Sequence, residues 1–196
     1  MRAMSLDRCP LKIWRRDVRI RDPKGFTVIE LLIVIGIIGA IAAIAVPGLL
    51  RSRMAANEAS ALGSLRAINS ANVTYSINCA NGLGYATTLG VLGTPPTAGG
   101  QPFISSDLGL TGTIVKSGYD LTYDAIGTAV STATCVSEVT TAASAYFATA
   151  GPTAAGSSGA RYFATSDAQA LFEDAVPITA ISATGIPTPA TAHPVK

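Results

Sequence analysis

Two hydrophobic patterns follow one another in the first eighty residues. From Leu31 to Leu50 the chain reads LLIVIGIIGAIAAIAVPGLL, which is twenty residues without a charge. A bilayer-spanning helix needs ~20 apolar residues, so this run predicts a membrane span or the core of a packed filament. Beyond it, apolar side chains recur every three or four positions, at Leu62, Leu65, Ile68, Ala71 and Tyr75. The two patterns predict one helix, from Phe26 to about Asn78, that changes from uniformly apolar to amphipathic.

Small and polar residues refine this helix. Gly36, Gly39, Ala40 and Ala43 give small faces that allow close helix approach, although ordinary membrane-helix composition accounts for them equally. Pro47 lacks an amide hydrogen, so the helix is expected to bend or loosen there. The polar residues of the second half lie mostly off the apolar stripe and are predicted to face solvent or other subunits: Arg51, Arg53, Asn57, Glu58, Ser60 and Arg66.

After Asn78 the pattern changes to that of loops and strands. Gly and Pro crowd residues 82 to 102, which predicts a connecting region with little regular structure. Alternating and β-branched runs predict strands at 113–126, 143–150 and 160–165. Residues 166–174 are expected to form a turn or short helix, and the proline-rich end an extended or disordered tail. The fold class predicted from these elements is α+β, with a small antiparallel sheet packed on the helix.

Charge separates the chain into parts. Residues 1–25 hold eight Lys/Arg and three Asp, whereas residues 26–196 hold six Lys/Arg and nine Asp/Glu. A basic segment before an apolar run favours a cytoplasmic N-terminus and an exported C-terminal domain. The mildly acidic remainder argues against a basic nucleic-acid-binding face, although DNA uptake through a few local charges stays open.

The residues at the start of the apolar run carry the most specific signal. Lys24-Gly25-Phe26-Thr27-Val28-Ile29-Glu30 places one carboxylate directly before twenty uncharged residues, where an inert anchor has no use for it. Together with Gly36, Gly39 and Pro47, this segment resembles the N-terminus of type IV pilins and pilin-like proteins with a prepilin-type (class III) signal peptide.

The resemblance implies that the chain is cleaved, methylated and then assembled. In that family a prepilin peptidase cuts after the glycine, here between Gly25 and Phe26, and the new N-terminal amine of Phe26 is methylated. Thr27 and Glu30 would then serve assembly, and the stretch from Gly39 to Pro47 would provide helix flexibility. The implied parts are a leader at 1–25, a hydrophobic transmembrane and assembly half-helix at 26–52, a globular pilin domain at 53–176 and a Pro/Ala/Thr-rich tail at 177–196.

The resemblance also implies partners and a location. They are identical or related pilin subunits, the peptidase, membrane lipid before assembly, and an inner-membrane platform driven by a cytoplasmic ATPase. The precursor would be a single-pass inner-membrane protein and the product a cell-surface filament for adhesion, twitching motility or DNA uptake. Two alternatives stay open, a major pseudopilin of a type II secretion system and a membrane-anchored exported binding domain or enzyme.

The leader is longer than usual for a mature chain that begins with phenylalanine.

Three cysteines complete the chemistry of the chain. Cys9 would leave with the leader, so Cys79 and Cys135 remain as an even number in an exported domain and are predicted to form a disulfide. The alternative is two small buried side chains. We expect no enzyme, cofactor or metal site, since the single histidine, His193, lies in the tail and a calcium loop at Ser105, Ser106 and Asp107 is sparse in oxygen ligands.

Overall fold

The computed structural model describes residues 25–97, 99–131, 134–136, 141–181 and 187–195. The chain divides into two compact units, one that ends at Ala43 and one that begins at Ile44. The predicted leader, including Cys9, lies outside the described residues except for Gly25.

One long helix, α1, spans Val28–Cys79 and continues through Pro47. The amphipathic pattern predicted for its second half is confirmed, because Leu65, Ile68, Ala71 and Tyr75 are buried, while Leu62 is partly buried. In the second unit these side chains pack on a β-sheet, as predicted for an α+β pilin-like fold.

The main sheet is antiparallel and has six strands in the order β1-β2-β3-β4-β5-β8. Their bounds are β1 Ile114–Lys116, β2 Tyr119–Ser131, β3 Thr141–Pro152, β4 Tyr162–Ser166, β5 Leu171–Asp174 and β8 His193–Pro194. A two-residue turn at Ser117 and Gly118, both with positive φ, joins β1 to β2 as in a tight hairpin. The predicted strands at 113–126, 143–150 and 160–165 are therefore confirmed in place.

Three expectations for the loops and the tail were wrong or incomplete. The segment 166–174 contains the expected turn, at 167–168, and then strand β5, because Phe172 has a buried place beside Ala164 of β4. The described tail residues are extended but paired: β6 Ala180–Ile181 pairs with β7 Pro187–Thr188, and β8 joins the sheet through β5. A helix, α2, at Leu89–Gly93 interrupts the connecting region and buries Leu89 and Leu92.

The sheet is covered on both faces. Between the sheet and α1 lies the larger core, which includes Leu65, Tyr75, Tyr146 and Phe163. On the opposite face lies a second cluster of Phe147, Ala164, Phe172, Ile178 and Ile181. The segment after β5 therefore shields this face of the sheet from solvent. A register shift between Ile126 and Ala129 breaks the β2–β3 ladder near this second cluster.

Candidate functional site

Thr27 and Glu30 cap the start of α1. The Glu30 amide donates to Thr27 Oγ1 at 3.2 Å, and the Thr27 amide donates to Glu30 Oε2 at a longer 3.5 Å. This reciprocal pair is a capping box, in which side chains accept from two amides at the start of the helix, and the Glu30 amide also donates to the Thr27 carbonyl oxygen at 3.1 Å. The Thr-x-x-Glu spacing is visible in the sequence, yet sequence reasoning assigned both residues to assembly alone. Glu30 therefore has a local role at the start of the helix.

No other part of the described chain packs over the apolar side chains of the first half of α1. Fifteen of the twenty exposed large hydrophobic residues in the described parts of the chain lie between Phe26 and Leu50. A side-chain carbon added at Gly36, Gly39 or Gly48 would meet no other atom within 4 Å. Nothing inside the described chain therefore explains why these positions are small or why this surface is apolar.

A membrane is one environment that suits such a surface. One helix in the described chain, α1, is long and apolar enough to cross a bilayer, judged by length and composition alone. Its apolar window is entirely unburied, unlike the core helix of a soluble protein.

Glu58 corrects the predicted polar face of α1. It was expected to face solvent or other subunits, but it is buried against the loop between β3 and β4. Its Oε1 accepts from the Ala160 amide at 3.0 Å, and its Oε2 accepts from Arg161 Nε at 2.9 Å and Nη2 at 2.7 Å. The neighbouring Asn57 donates to Ser158 O at 2.8 Å. These contacts fix the helix to that loop just beyond the exposed half.

The same arginine connects a second acid. Arg161 Nη1 lies 2.6 Å from Glu173 Oε2, so one guanidinium in the loop before β4 joins α1 to β5. Burial alone would raise the pKa of Glu58, but the hydrogen bonds from Ala160 and Arg161 outweigh it and lower that pKa below its usual value. The pKa of Arg161 is raised, chiefly by its hydrogen bond to Glu58. We call this group of opposite charges, formed by Arg161 with Glu58 and Glu173, the Arg161 clasp.

Two buried asparagines on α1 were not predicted. Asn69 donates to Thr165 Oγ1 at 2.8 Å and accepts from the Tyr146 hydroxyl at 3.0 Å. Asn72 accepts from the Ala86 amide at 3.3 Å. Each amide is therefore satisfied inside the core, as buried polar groups usually are, and ties the helix to the sheet or to the connecting region.

The cysteine prediction has a clear counterpart in the structure. Cys79, the last residue of α1, forms a disulfide with Cys135, and a sequence separation of 56 residues lies between them. Thr97 binds the Cys135 carbonyl through its amide at 2.7 Å and its hydroxyl at 2.8 Å. The bridge therefore joins the end of the helix, the connecting region and the segment before β3.

Asp107, the acid of the candidate calcium loop, pairs with a basic side chain. Asp107 forms an ion pair with Lys116 at 2.5 Å. Its pKa is lowered to about 2 by the hydrogen bonds from Lys116 and Ser105. Within the described residues, no group of three or more His, Cys, Asp or Glu is placed to hold a metal ion.

Comparisons with known proteins found two sequence matches. A family model described as the prokaryotic N-terminal methylation motif matches residues 20–46. The type IV wide pilus major component PilA4 of Thermus thermophilus is 56% identical over 39 residues, which make up 20% of this chain and 30% of that protein. No solved structure matches the chain.

The match to PilA4 spans less than a third of the length of that protein. The chain therefore carries a match to the N-terminal methylation motif and is similar, over that short stretch, to a type IV pilus component.

Proposed function

We propose that the chain is a structural subunit of a type IV pilus-like filament that polymerises through the first half of α1. The observation that carries this proposal is the exposed apolar surface between Phe26 and Leu50 on a segment that matches the methylation motif. A surface of this size is stable in lipid or against other helices but not in water. Lipid would hold it in the precursor, and neighbouring subunits would cover it in the filament.

The N-terminus would set the register of assembly. Cleavage between Gly25 and Phe26 by a prepilin peptidase would create a cationic amine, which that enzyme would methylate. Glu30 accepts only one long hydrogen bond in the described chain, from Thr27, so its carboxylate retains acceptor capacity. Because an unpaired ion in an apolar bundle costs several kcal/mol, roughly, the amine of one subunit and Glu30 of another would favour a single axial position.

The assembled product follows from symmetry. A contact between the start of one helix and a different site on the next is heterologous, and such contacts build helical polymers when the rotation does not close. Assembly would use a membrane platform and a cytoplasmic ATPase, since the proposal gives the chain itself no catalytic part. The filament would serve adhesion, twitching motility or DNA uptake.

Mass spectrometry of material sheared from cells tests the proposal. We expect a methylated peptide that begins at Phe26 in the sheared fraction. The same peptide confined to the membrane fraction would instead support a secretion pseudopilin or a minor component. An intact chain that contains residues 1–25 would contradict processing and leave an ordinary membrane anchor.

A matched pair of variants checks the cleavage site. We expect Gly25→Phe to accumulate as a precursor with the leader attached, because the bulky side chain would block access to the scissile bond. Gly48→Ala is the control, since an added carbon there meets open space and the position lies far from the junction. A mature mass from Gly25→Phe would show that the cut lies elsewhere.

A further inference from the structure

A cavity of about 350 Å³ lies in the second unit, far along the chain from the assembly segment. Ile126 of β2, Ala145 of β3 and Ser166 of β4 line it, and Ile181 of β6 forms another wall. Thr165, the neighbour of Ser166, contacts Asn69 of α1. Because successive strand side chains point to opposite faces, the Ser166 side chain lies on the sheet face away from α1.

The broken ladder explains why space exists there. The register shift between Ile126 and Ala129 leaves Gly127 at positive φ, and Gly127 is part of the cavity lining. The Ser144 hydroxyl, also in the lining, accepts from the Thr128 amide at 2.9 Å and so holds the displaced strand in place. Bulges of this kind commonly sit beside functional sites.

Ser166 is the feature that points to a ligand. The residue is only 2% exposed, yet its Oγ has no hydrogen-bond partner among the described residues. Burial of an unpaired hydroxyl is unfavourable, and such groups are rare in folded proteins. A cavity of this volume is roughly ten times the share of one water in the liquid, so it has room for a small molecule.

Asp167 adds charge to the same cavity. Asp167 is one of the lining residues and forms no ion pair with a described residue. The pKa of the Tyr85 hydroxyl is raised, mainly by burial. The negative charge of Asp167 raises it further. The lining therefore includes one half-buried acid and one unpaired hydroxyl, and no Lys or Arg.

We propose that this cavity binds a small primary amine as its alkylammonium ion. The ammonium group would donate to the Asp167 carboxylate and the Ser166 hydroxyl in charge-assisted hydrogen bonds. The short alkyl part would contact Ile126, Ala145 and Ile181. No aromatic ring lines the cavity to provide a stacking face, so a primary amine fits the described lining better than a sugar does.

Calorimetric titration of the full chain in detergent with n-butylammonium tests the proposal, and n-butanol serves as the neutral analogue of similar shape. We expect saturable amine binding with a Kd of about 1 mM or tighter, and no binding of n-butanol. Nα-acetyl-lysine methylamide separates the two sources of the amine. If it binds as well as n-butylammonium, the ligand is a polypeptide lysine; if it does not, the ligand is a free small amine.

Variants separate recognition from structural effects. Asp167→Asn should weaken amine binding roughly tenfold or more, because it removes one charge-assisted contact. Asp124→Asn, which changes an exposed acid on β2 outside the lining, should leave binding unchanged. Ser166→Ala should weaken binding while the melting temperature of the free chain stays the same or rises, since an unpaired buried hydroxyl is removed.

Several results would overturn the proposal. They are the absence of amine binding at about 10 mM, equal binding of n-butanol and n-butylammonium, and an Asp167→Asn variant that binds as tightly as the original chain. A Ser166→Ala variant that loses stability but not affinity would show that the hydroxyl serves the fold. Filament formation is independent of all these measurements.

Discussion

The two halves of α1 share one helix but face opposite conditions. In the first half the large apolar side chains are exposed, whereas in the second Leu65, Ile68 and Tyr75 are fully buried. The second half is held by its own chain through core packing, two asparagines, the Arg161 clasp and a disulfide. The hydrophobicity of a helix face therefore does not show whether that face packs against its own chain. The second half packs against its own chain, whereas the described chain leaves the first half exposed.

The largest expected effect is on assembly and belongs to the first half. We expect Glu30→Gln to reduce the yield of sheared filaments by more than tenfold, because the neutral amide cannot pair with a cationic terminus. Glutamine still fits a capping box, so the start of the helix should be preserved. Immunoblots of sheared and membrane fractions measure the result. A normal filament yield from Glu30→Gln would reduce the role of Glu30 to that of a local cap.

The disulfide should give the largest effect on the stability of the second unit. Replacing both Cys79 and Cys135 with serine should lower the free energy of unfolding by about 4 kcal/mol, given the 56-residue separation. Chemical denaturation of both proteins, with and without a thiol reductant, measures this difference. Reductant should destabilise the original chain and have no effect on the variant. Equal stability of the two oxidised proteins would contradict the expectation.

A pair of leucines compares the halves directly. Leu65→Ala should cost about 3 kcal/mol, because Leu65 is 0% exposed and its loss leaves a cavity in the core. Leu32→Ala removes the same atoms from a side chain that is 58% exposed, so the unfolding of the free subunit should not change. Denaturant titration of both variants in detergent supplies the measurement. Similar losses from the two variants would show that the first half is covered within the subunit.

The smallest expected effect concerns the clasp. Arg161→Ala should destabilise the subunit by about 1–2 kcal/mol, because buried Glu58 loses two charge-assisted hydrogen bonds, whose strength is reduced by the solvent around half-exposed Arg161. Lys116→Ala, at the more exposed pair with Asp107, should leave the melting temperature nearly unchanged. Thermal unfolding by circular dichroism compares the two. A larger loss from Lys116→Ala would reverse their assigned importance.

Local patterns predicted the elements that depend on local causes. The apolar run and the three-four spacing located α1 within two residues at its start and one at its end. The β-branched runs located β2, β3 and β4. Strands β6 to β8 are two residues long, so their pairing rests on partners elsewhere in the chain that no short window contains.

Polar side chains were the hardest to predict. Glu58 reads as a solvated residue of a helix, and its partner Arg161 lies 103 positions away. Asn69 interrupts the apolar stripe, and the Thr165 hydroxyl that satisfies it lies 96 positions away. Only the Thr27–Glu30 cap, with its three-residue spacing, was within reach of sequence reasoning.

The position of that cap has a consequence for proteolysis. Gly25, Phe26 and Thr27 are non-helical and exposed, and α1 begins only at Val28. Peptidases act on extended backbone, so a cut between Gly25 and Phe26 would break no hydrogen bond of the helix and require no turn of it to open. Precursor and product would therefore share the same first turn, and maturation would alter the charge beside it without altering its backbone.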